Sequence, residues 1–530
     1  MRKDEAIEVR NILCNYEKCS WQTINKDKSA ILFSANVTND VKGSFLHHIG
    51  ITSEVFNEKY LGLPVFIGKS KAKAFAFLKQ KIWSRIQGWK EKLLSKAGKE
   101  ILIKAIVQAI LVYAMLCFYL TKSVCDELTT MVLRYWWAQQ EKDRKIHWLG
   151  KEKMMKPKSK GGFGFHDLLA FNIAMLARQG WRLIQHPRSL CAQILKARYY
   201  PDSDVLHAHS RSGMSYSWRS ILKGIKLLKK GIIWRVGDGE QIDVWDDPWL
   251  PRKSNRFIKS RRGPILIRKV CELIDPITNR WDASLIQSMF CQEDGNVILK
   301  IPLREDEEDF IAWHPDTKGL FSVKSAYNLY IYEVEQEEGM QGQSGGDITC
   351  FNWKQIWKYQ VPNKMKHFIW RLAHNSLPLR QNIKRRGVKL DTICPMCHRL
   401  DEDGGHLFLK CKCVRQLWRA LDLEEARLLL VNCMSAKHLL EEIWKLDDEQ
   451  QTEILTLLWV WWSTRNKVSQ GECSFILDDV VFFSRNHLRD FKDCMNKGNK
   501  HDHSPTLSLW RPPEGDFLKI NVDGSFCEKT

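Results

Sequence analysis

Cys394-Pro395-Met396-Cys397, followed after eight residues by His406 and after four more by Cys411, restricts how its surroundings can fold more than any other feature of the chain. Zinc takes thiolate and imidazole in a closed tetrahedron, and a Cys-x2-Cys turn presents two sulfurs at once. A full Cys3His set leaves no position for water, so the chemistry it implies is structural rather than catalytic. Sites of this kind hold small domains together with apparent binding free energies of about 10–16 kcal/mol. Asp403-Gly404-Gly405 is expected to reverse the chain and return His406 to the thiols, with Leu407, Phe408 and Leu409 as an apolar wall. His398 and Cys413 are substitute ligands with poorer spacing, and four reduced side chains without metal are the plain alternative.

The rest of the chain has room for several cores. Its 530 residues are 44% hydrophobic and include 22 Trp, which excludes wholesale disorder. The 16 Cys, spread widely behind a charged N-terminus, point to a reducing compartment, nuclear or cytoplasmic. The longest apolar stretch, 105–120, is interrupted by Gln108 and flanked by Lys104 and Lys122. It reads as a buried helix rather than a membrane span.

Charge is unevenly placed. Residues 71–240 hold 32 Lys and Arg against 12 Asp and Glu, a net +20 that equals the charge of the whole chain. A basic domain beside neutral neighbours suggests a polyanion partner, because neutralising phosphates releases counterions. The candidate phosphate contacts are Lys81, Arg85, Lys92, Lys96, Lys99, Lys104, Lys151, Lys153, Lys156, Lys158 and Lys160, joined by Lys384, Arg385 and Arg386 near the Cys/His motif. A lysine-rich solvated surface is the competing reading.

Periodicity supplies a coarse outline. Residues 1–20 read as a helix, 24–37 as containing a short strand, and 72–133 as two or three helices with apolar positions at Phe77, Ile82, Ile86, Trp89, Leu93, Ile101, Ala105, Ile106 and Ile110. Residues 232–251 read as a β-hairpin around Gly237-Asp238-Gly239. Asp246-Asp247 within it resembles a metal-holding pair, but Pro248 and the flanking Trp245 and Trp249 favour a structural turn. The acidic, then Gly- and Gln-rich stretch 331–349 reads as a loop insertion, and 496–505 as an interdomain boundary. Residues 353–388 read as helices on either side of Pro362, their aromatics mostly core, with Lys364, Lys366 and Arg371 around them.

Several segments together resemble plant LINE-type (non-LTR) retrotransposon polyproteins, in that family's order along the chain. They are GLPVFIGKSK (62–71), the 89–115 stretch, GGFGFHDLLAFNIAMLARQGWRL (161–183), WRVGDGEQIDVWDDPWLP (234–251), FSVKSAYNLY (321–330) and the Cys/His segment. The resemblance implies the tail of a reverse-transcriptase palm at 1–70 and a basic, thumb-like helical domain at 71–180. A connecting region at 181–305 would carry the hairpin, and 306–440 would be a reverse-transcriptase zinc-binding domain. A helical connector and linker would fill 441–505, and 506–530 would begin a ribonuclease H domain in which Asp523 matches the first metal-binding Asp. The fold class expected is mixed and mainly α, in several domains.

That family's paired palm carboxylates lie just upstream of the Ile24-Asn25, Lys28-Ser29 and Phe33-Ser34 segment, and Asp523 is one carboxylate of a larger set. Two-metal transfer needs the full sets. The expectation is therefore a non-catalytic fragment with structural zinc that binds RNA, DNA or an RNA–DNA duplex, with magnesium relevant only alongside the missing catalytic domains. Two alternatives stand beside it. One is a piece of a complete reverse transcriptase and RNA–DNA hybrid ribonuclease whose gene model is truncated, and the other is a domesticated factor whose zinc module binds a protein partner.

Overall fold

A computed structural model describes residues 3–498 apart from 27–28, 32, 34–35, 52, 55–58, 65–66, 91–93, 139–145, 253–254, 263–265, 304–306 and 340–350. Lys92, Asp523 and most of the 496–505 boundary lie outside the described residues. The chain is mainly helical, and its described strands form only two-stranded pairs. It divides into two compact units, 1–157 with 162–348, and 158–161 with 349–530.

In the first unit the expected N-terminal helix runs Lys3–Ser20 and packs on a second, Asn39–Ile49. The strand expected in 24–37 is the two-residue Ala30–Ile31, parallel to Ser53–Glu54. Helix Ala76–Lys90 follows the expected apolar rhythm, with Phe77, Ile82 and Ile86 buried, and a later helix spans Lys122–Trp137. Between them lies a continuous helical run, Lys96–Leu102, a π-turn at Ile103–Val107, and Gln108–Cys117. Its buried positions, Ile103, Val107, Leu111, Ala114 and Met115, form one stripe, while Ile101 is 63% exposed. The helix expected as buried is thus buried along one side. Lys96–Cys117 is long and apolar enough to cross a membrane, though a one-sided core helix has the same composition.

The central core of this unit is built on helices Leu168–Gln185 and Tyr216–Gly231. A side chain at Gly224 would come within 2.4 Å of the Ala177 nitrogen, so only glycine allows so close an approach. Trp218 is fully buried with Tyr199 and Tyr200 stacked against it at 5.1 and 5.3 Å.

The expected 232–251 hairpin does not form. Strand Ile232–Arg235 pairs antiparallel with Phe310–Trp313, 75 residues away, and Val244 bonds to Arg268 and Val270 to Ile242 instead. The buried Asp309 carboxylate decides this arrangement. It accepts the backbone N–H groups of Gly237 (2.7 Å), Gly239 (3.0 Å) and Gln241 (2.9 Å), which anchors the turn to the later strand. Asp246-Asp247 is a structural turn as the flanking residues suggested. Asp243 accepts N–H bonds from Trp245 and Asp246, and Asp247 accepts from Asp243. The 331–349 loop is also corrected in part, since helix Val323–Gly339 continues through its first half.

In the second unit Pro362 precedes helix Asn363–Ala373, whose Phe368, Ile369 and Leu372 are buried. The stretch 441–505, expected as a connector, supplies helices Asp448–Ser469 and Leu477–Gly498 to this core, with Ile454, Leu457, Leu458 and Trp461 fully buried. The 306–440 region expected as one domain is divided near 348. Strand Phe310–Trp313 and helix Val323–Gly339 pack with Ile232–Arg235 and helix Leu168–Gln185 in the first unit.

Candidate metal centre

The ligand atoms of Cys394, Cys397, His406 and Cys411 all lie within 4.8 Å of one another. Zinc bonds of about 2.3 Å to sulfur and about 2.0–2.1 Å to nitrogen give tetrahedral edges of roughly 3.5–3.8 Å, so a small contraction closes the set. The Cys397 Sγ to His406 Nε2 distance is already 3.3 Å. Among the described residues this is the one group of three or more Cys, His, Asp or Glu side chains close enough to share a metal.

Local backbone chemistry explains how the donors meet. The first two thiols sit on a tight loop closed by Cys394 N–H to the Leu400 carbonyl (2.7 Å), His398 N–H to the Cys394 carbonyl (3.0 Å) and Glu402 N–H to the Thr392 carbonyl (2.7 Å). His398 takes the left-handed conformation, φ 52°, and makes the reversal that sequence reasoning assigned to Gly404-Gly405. Those glycines are helical instead, and Asp403 caps the turn by accepting the His406 N–H at 2.6 Å. His406–Lys410 is a π-turn, closed by Cys411 N–H to the His406 carbonyl at 2.7 Å. The wider turn fits a His-x4-Cys spacing onto one face. His398 is exposed, and Cys413 turns its thiol toward the Met396 carbonyl, so neither joins the cluster.

The donors are hydrogen-bonded to one another. A hydrogen bond with Cys411, then burial, pushes the Cys394 thiol up to about 12, and a hydrogen bond with Cys394 raises His406 to about 9. A divalent cation would displace those protons, which is the donor chemistry of a structural zinc site.

The loop between Cys397 and His406 is anchored by Glu402, which is fully buried. Its carboxylate pairs with Arg465 on helix Asp448–Ser469 and accepts the Arg380 N–H at 2.8 Å. Arg380 opens the short helix Arg380–Lys384, whose end carries the exposed Lys384, Arg385 and Arg386. Sequence reasoning missed Glu402 and Arg465, because nothing local links residues 63 positions apart.

The other expected phosphate contacts are placed differently from one another. Lys99 is buried and donates to the Ala138 carbonyl at 2.6 Å, and Lys96 donates to the Trp136 carbonyl. These two correct the sequence expectation, since they cap the carbonyl end of helix Lys122–Trp137, where cations are favoured. Lys104 pairs with Glu100 (2.7 Å) and Lys151 with Asp126 (2.6 Å). Lys158 lies 4.0 Å from the Trp357 ring centre. Lys81, Arg85, Lys153, Lys156 and Lys160 are exposed. Arg371 belongs to the interior, donating to the Ser376 carbonyl at 2.8 Å, and burial pushes it down to about 10.

Gly161 has a different part. Its carbonyl accepts Trp370 Nε1–H at 2.8 Å and faces His374 Nε2 at 2.7 Å, and a side chain there would lie 2.5 Å from the Trp353 ring.

Residues 321–418 match the family described as zinc-binding in reverse transcriptase. The chain is 42% identical over 143 residues to "Uncharacterized mitochondrial protein AtMg00310" of Arabidopsis thaliana, covering 27% of this chain and 93% of that protein. It belongs to the plant retrotransposon polyproteins. A second relative in the same plant, "Putative ribonuclease H protein At1g65750", is 26% identical over 481 residues, which is 87% of this polyprotein chain and 75% of the relative. The matched zinc-binding segment of the polyprotein ends at Trp418, whose indole donates to the Phe408 carbonyl beside the cluster.

Proposed function

We propose that this region of the polyprotein, of the LINE type, is a binding module: a structural zinc ion held by Cys394, Cys397, His406 and Cys411 fixes a cationic surface that grips the backbone of an RNA–DNA duplex. The observation that carries this reading is the link between the two features. Helix Arg380–Lys384 begins on the carboxylate of Glu402, inside the zinc loop, and ends in three consecutive exposed cations. A rigidly placed cation loses less freedom on meeting a phosphate than one on a free loop. Four protein ligands close the metal, so its role is to hold this geometry. In the first unit the exposed Lys81, Arg85, Lys153 and Lys156 would add sequence-independent affinity.

Titrating the purified chain onto a fluorescent RNA–DNA duplex over a salt series, with zinc measured on the same sample, tests the proposal. About one zinc per chain and a steep linear fall of log affinity with log salt are expected. Salt-insensitive or absent binding with zinc present would refute it and favour a protein-binding role for the zinc module. The similarity to a protein named for ribonuclease H over most of this chain favours a second reading, as part of a larger nucleic-acid-processing enzyme. Magnesium-dependent cleavage of the hybrid's RNA strand by the same sample would support it.

A further inference from the structure

The π-turn carrying His406 ends with carbonyl groups that its own helix cannot satisfy, as every helix end does. Here three successive ones are met by side chains. The Leu407 carbonyl accepts Trp461 Nε1–H at 2.8 Å, Phe408 accepts Trp418 Nε1–H at 3.0 Å, and Leu409 accepts an Arg427 N–H at 3.0 Å. Trp418 and Trp461 are fully buried and Arg427 is 6% exposed. Of the three, only Trp418 lies inside the matched segment, which ends there. One turn of helix beyond Trp461, Arg465 makes the buried pair with Glu402 in the loop between the second and third ligands.

Resting on the reading that the Cys3His cluster holds zinc, we propose that Trp461 and Arg465 are positioning residues of that centre. Helix Asp448–Ser469 is then part of the metal-binding unit, although it begins thirty residues past the matched segment. Trp461 fixes the turn that spaces His406 from Cys411, and Arg465 fixes the loop that joins Cys397 to His406. Neither touches a ligand atom. Together they hold both segments that must keep their places for four donors to converge. Partners one step removed from a metal typically change its affinity by roughly 10- to 100-fold when lost.

Trp461→Phe keeps an aromatic side chain, smaller than indole, and removes the donor, and Arg465→Gln keeps a polar side chain and removes the charge. Both are compared in the full chain with Trp459→Phe, which alters a ring on the same helix that packs on His487. Cys394→Ser is the blank for the site. Zinc transfer to a competing chelator reports affinity, and the visible spectrum of the cobalt-substituted protein reports the symmetry of the four donors.

The expected result is a loss of affinity of about 10-fold or more in Trp461→Phe and Arg465→Gln, with a shifted and weakened cobalt spectrum at unchanged far-ultraviolet dichroism. Trp459→Phe should keep the wild-type spectrum, and Arg465→Lys should recover part of the Arg465→Gln loss. Equal spectra and affinities in all variants, with wild-type zinc bound, would overturn the proposal, as would equal losses in Trp459→Phe. Absence of zinc in the wild type would instead overturn the underlying reading of the cluster.

Discussion

Replacing Lys384, Arg385 and Arg386 together by Gln tests whether the end of helix Arg380–Lys384 meets a phosphate backbone. All three are exposed, and the helix on which they end is anchored at the buried Glu402. Their removal should therefore leave zinc content and stability unchanged, since surface substitutions typically stay within about 0.5 kcal/mol. Each phosphate contact contributes roughly 0.9 to the slope of log affinity against log salt, so losing three lowers the slope by about 2.7. Wild-type binding weakens by this extra factor over any salt interval. Between 50 and 200 mM salt, a fourfold change, the part of the loss due to these residues is about 40-fold. The assay is fluorescence anisotropy with a labelled RNA–DNA duplex at four or more salt concentrations. The variant and wild type should converge at high salt and diverge at low salt. A parallel line, displaced but with unchanged slope, would show that the three cations do not contact phosphates, and an unchanged slope with unchanged affinity would remove this helix from the interface.

Other expectations follow from individual contacts. Chelating zinc should unfold the second unit while Trp218 in the first stays protected, which hydrogen exchange resolves by segment, and uniform loss of protection would contradict it. Asp294 is fully buried and meets Arg252 at 2.6 Å and the Ser260 hydroxyl at 2.5 Å. Burial opposes its ionisation, but Ser260, Arg252 and the Lys259 N–H overcome this and hold it below the ordinary 3.8. With a depressed folded pKa, its stabilisation is complete above about pH 4 and fades as the pH falls through the lowered value. Asp294→Asn should therefore cost roughly 3–5 kcal/mol at pH 7 by denaturant melting, because it breaks a buried pair, and progressively less as the pH falls through the lowered value. Asp309→Ala leaves three N–H groups without their acceptor, those of Gly237 and Gly239 buried, and should cost several kcal/mol, at about 1–3 kcal/mol for each buried one.

How far each feature could be read from sequence follows from the range of the interactions that make it. The four metal donors span 18 residues, and turn geometry with ligand spacing is enough to name them. Helix Lys3–Ser20 and the buried rhythm of Phe77, Ile82 and Ile86 are equally local, set by a repeat visible within a few turns. The 232–251 hairpin failed because its turn residues permit a tight reversal without specifying the partner strand. Three N–H groups converging on a carboxylate at 309 outweigh the local pairing, and no window containing Gly237-Asp238-Gly239 also contains Asp309.

Lysines carry the same lesson about charge. Lys96 and Lys99 count fully toward the basic excess of 71–240, yet their ammonium groups are committed to the carbonyl end of a helix about forty residues on. Net charge thus overstates the cationic surface wherever helix ends are buried against lysine-bearing neighbours. The exposed cations are the better guide to a polyanion, and those beside the zinc loop have a property that composition cannot register. Glu402 joins Arg465, the Arg380 backbone and the loop between Cys397 and His406 into one buried junction. Any change that loosens the metal loop should therefore be felt at Lys384, Arg385 and Arg386, so zinc removal and cation removal should weaken duplex binding less than additively when combined.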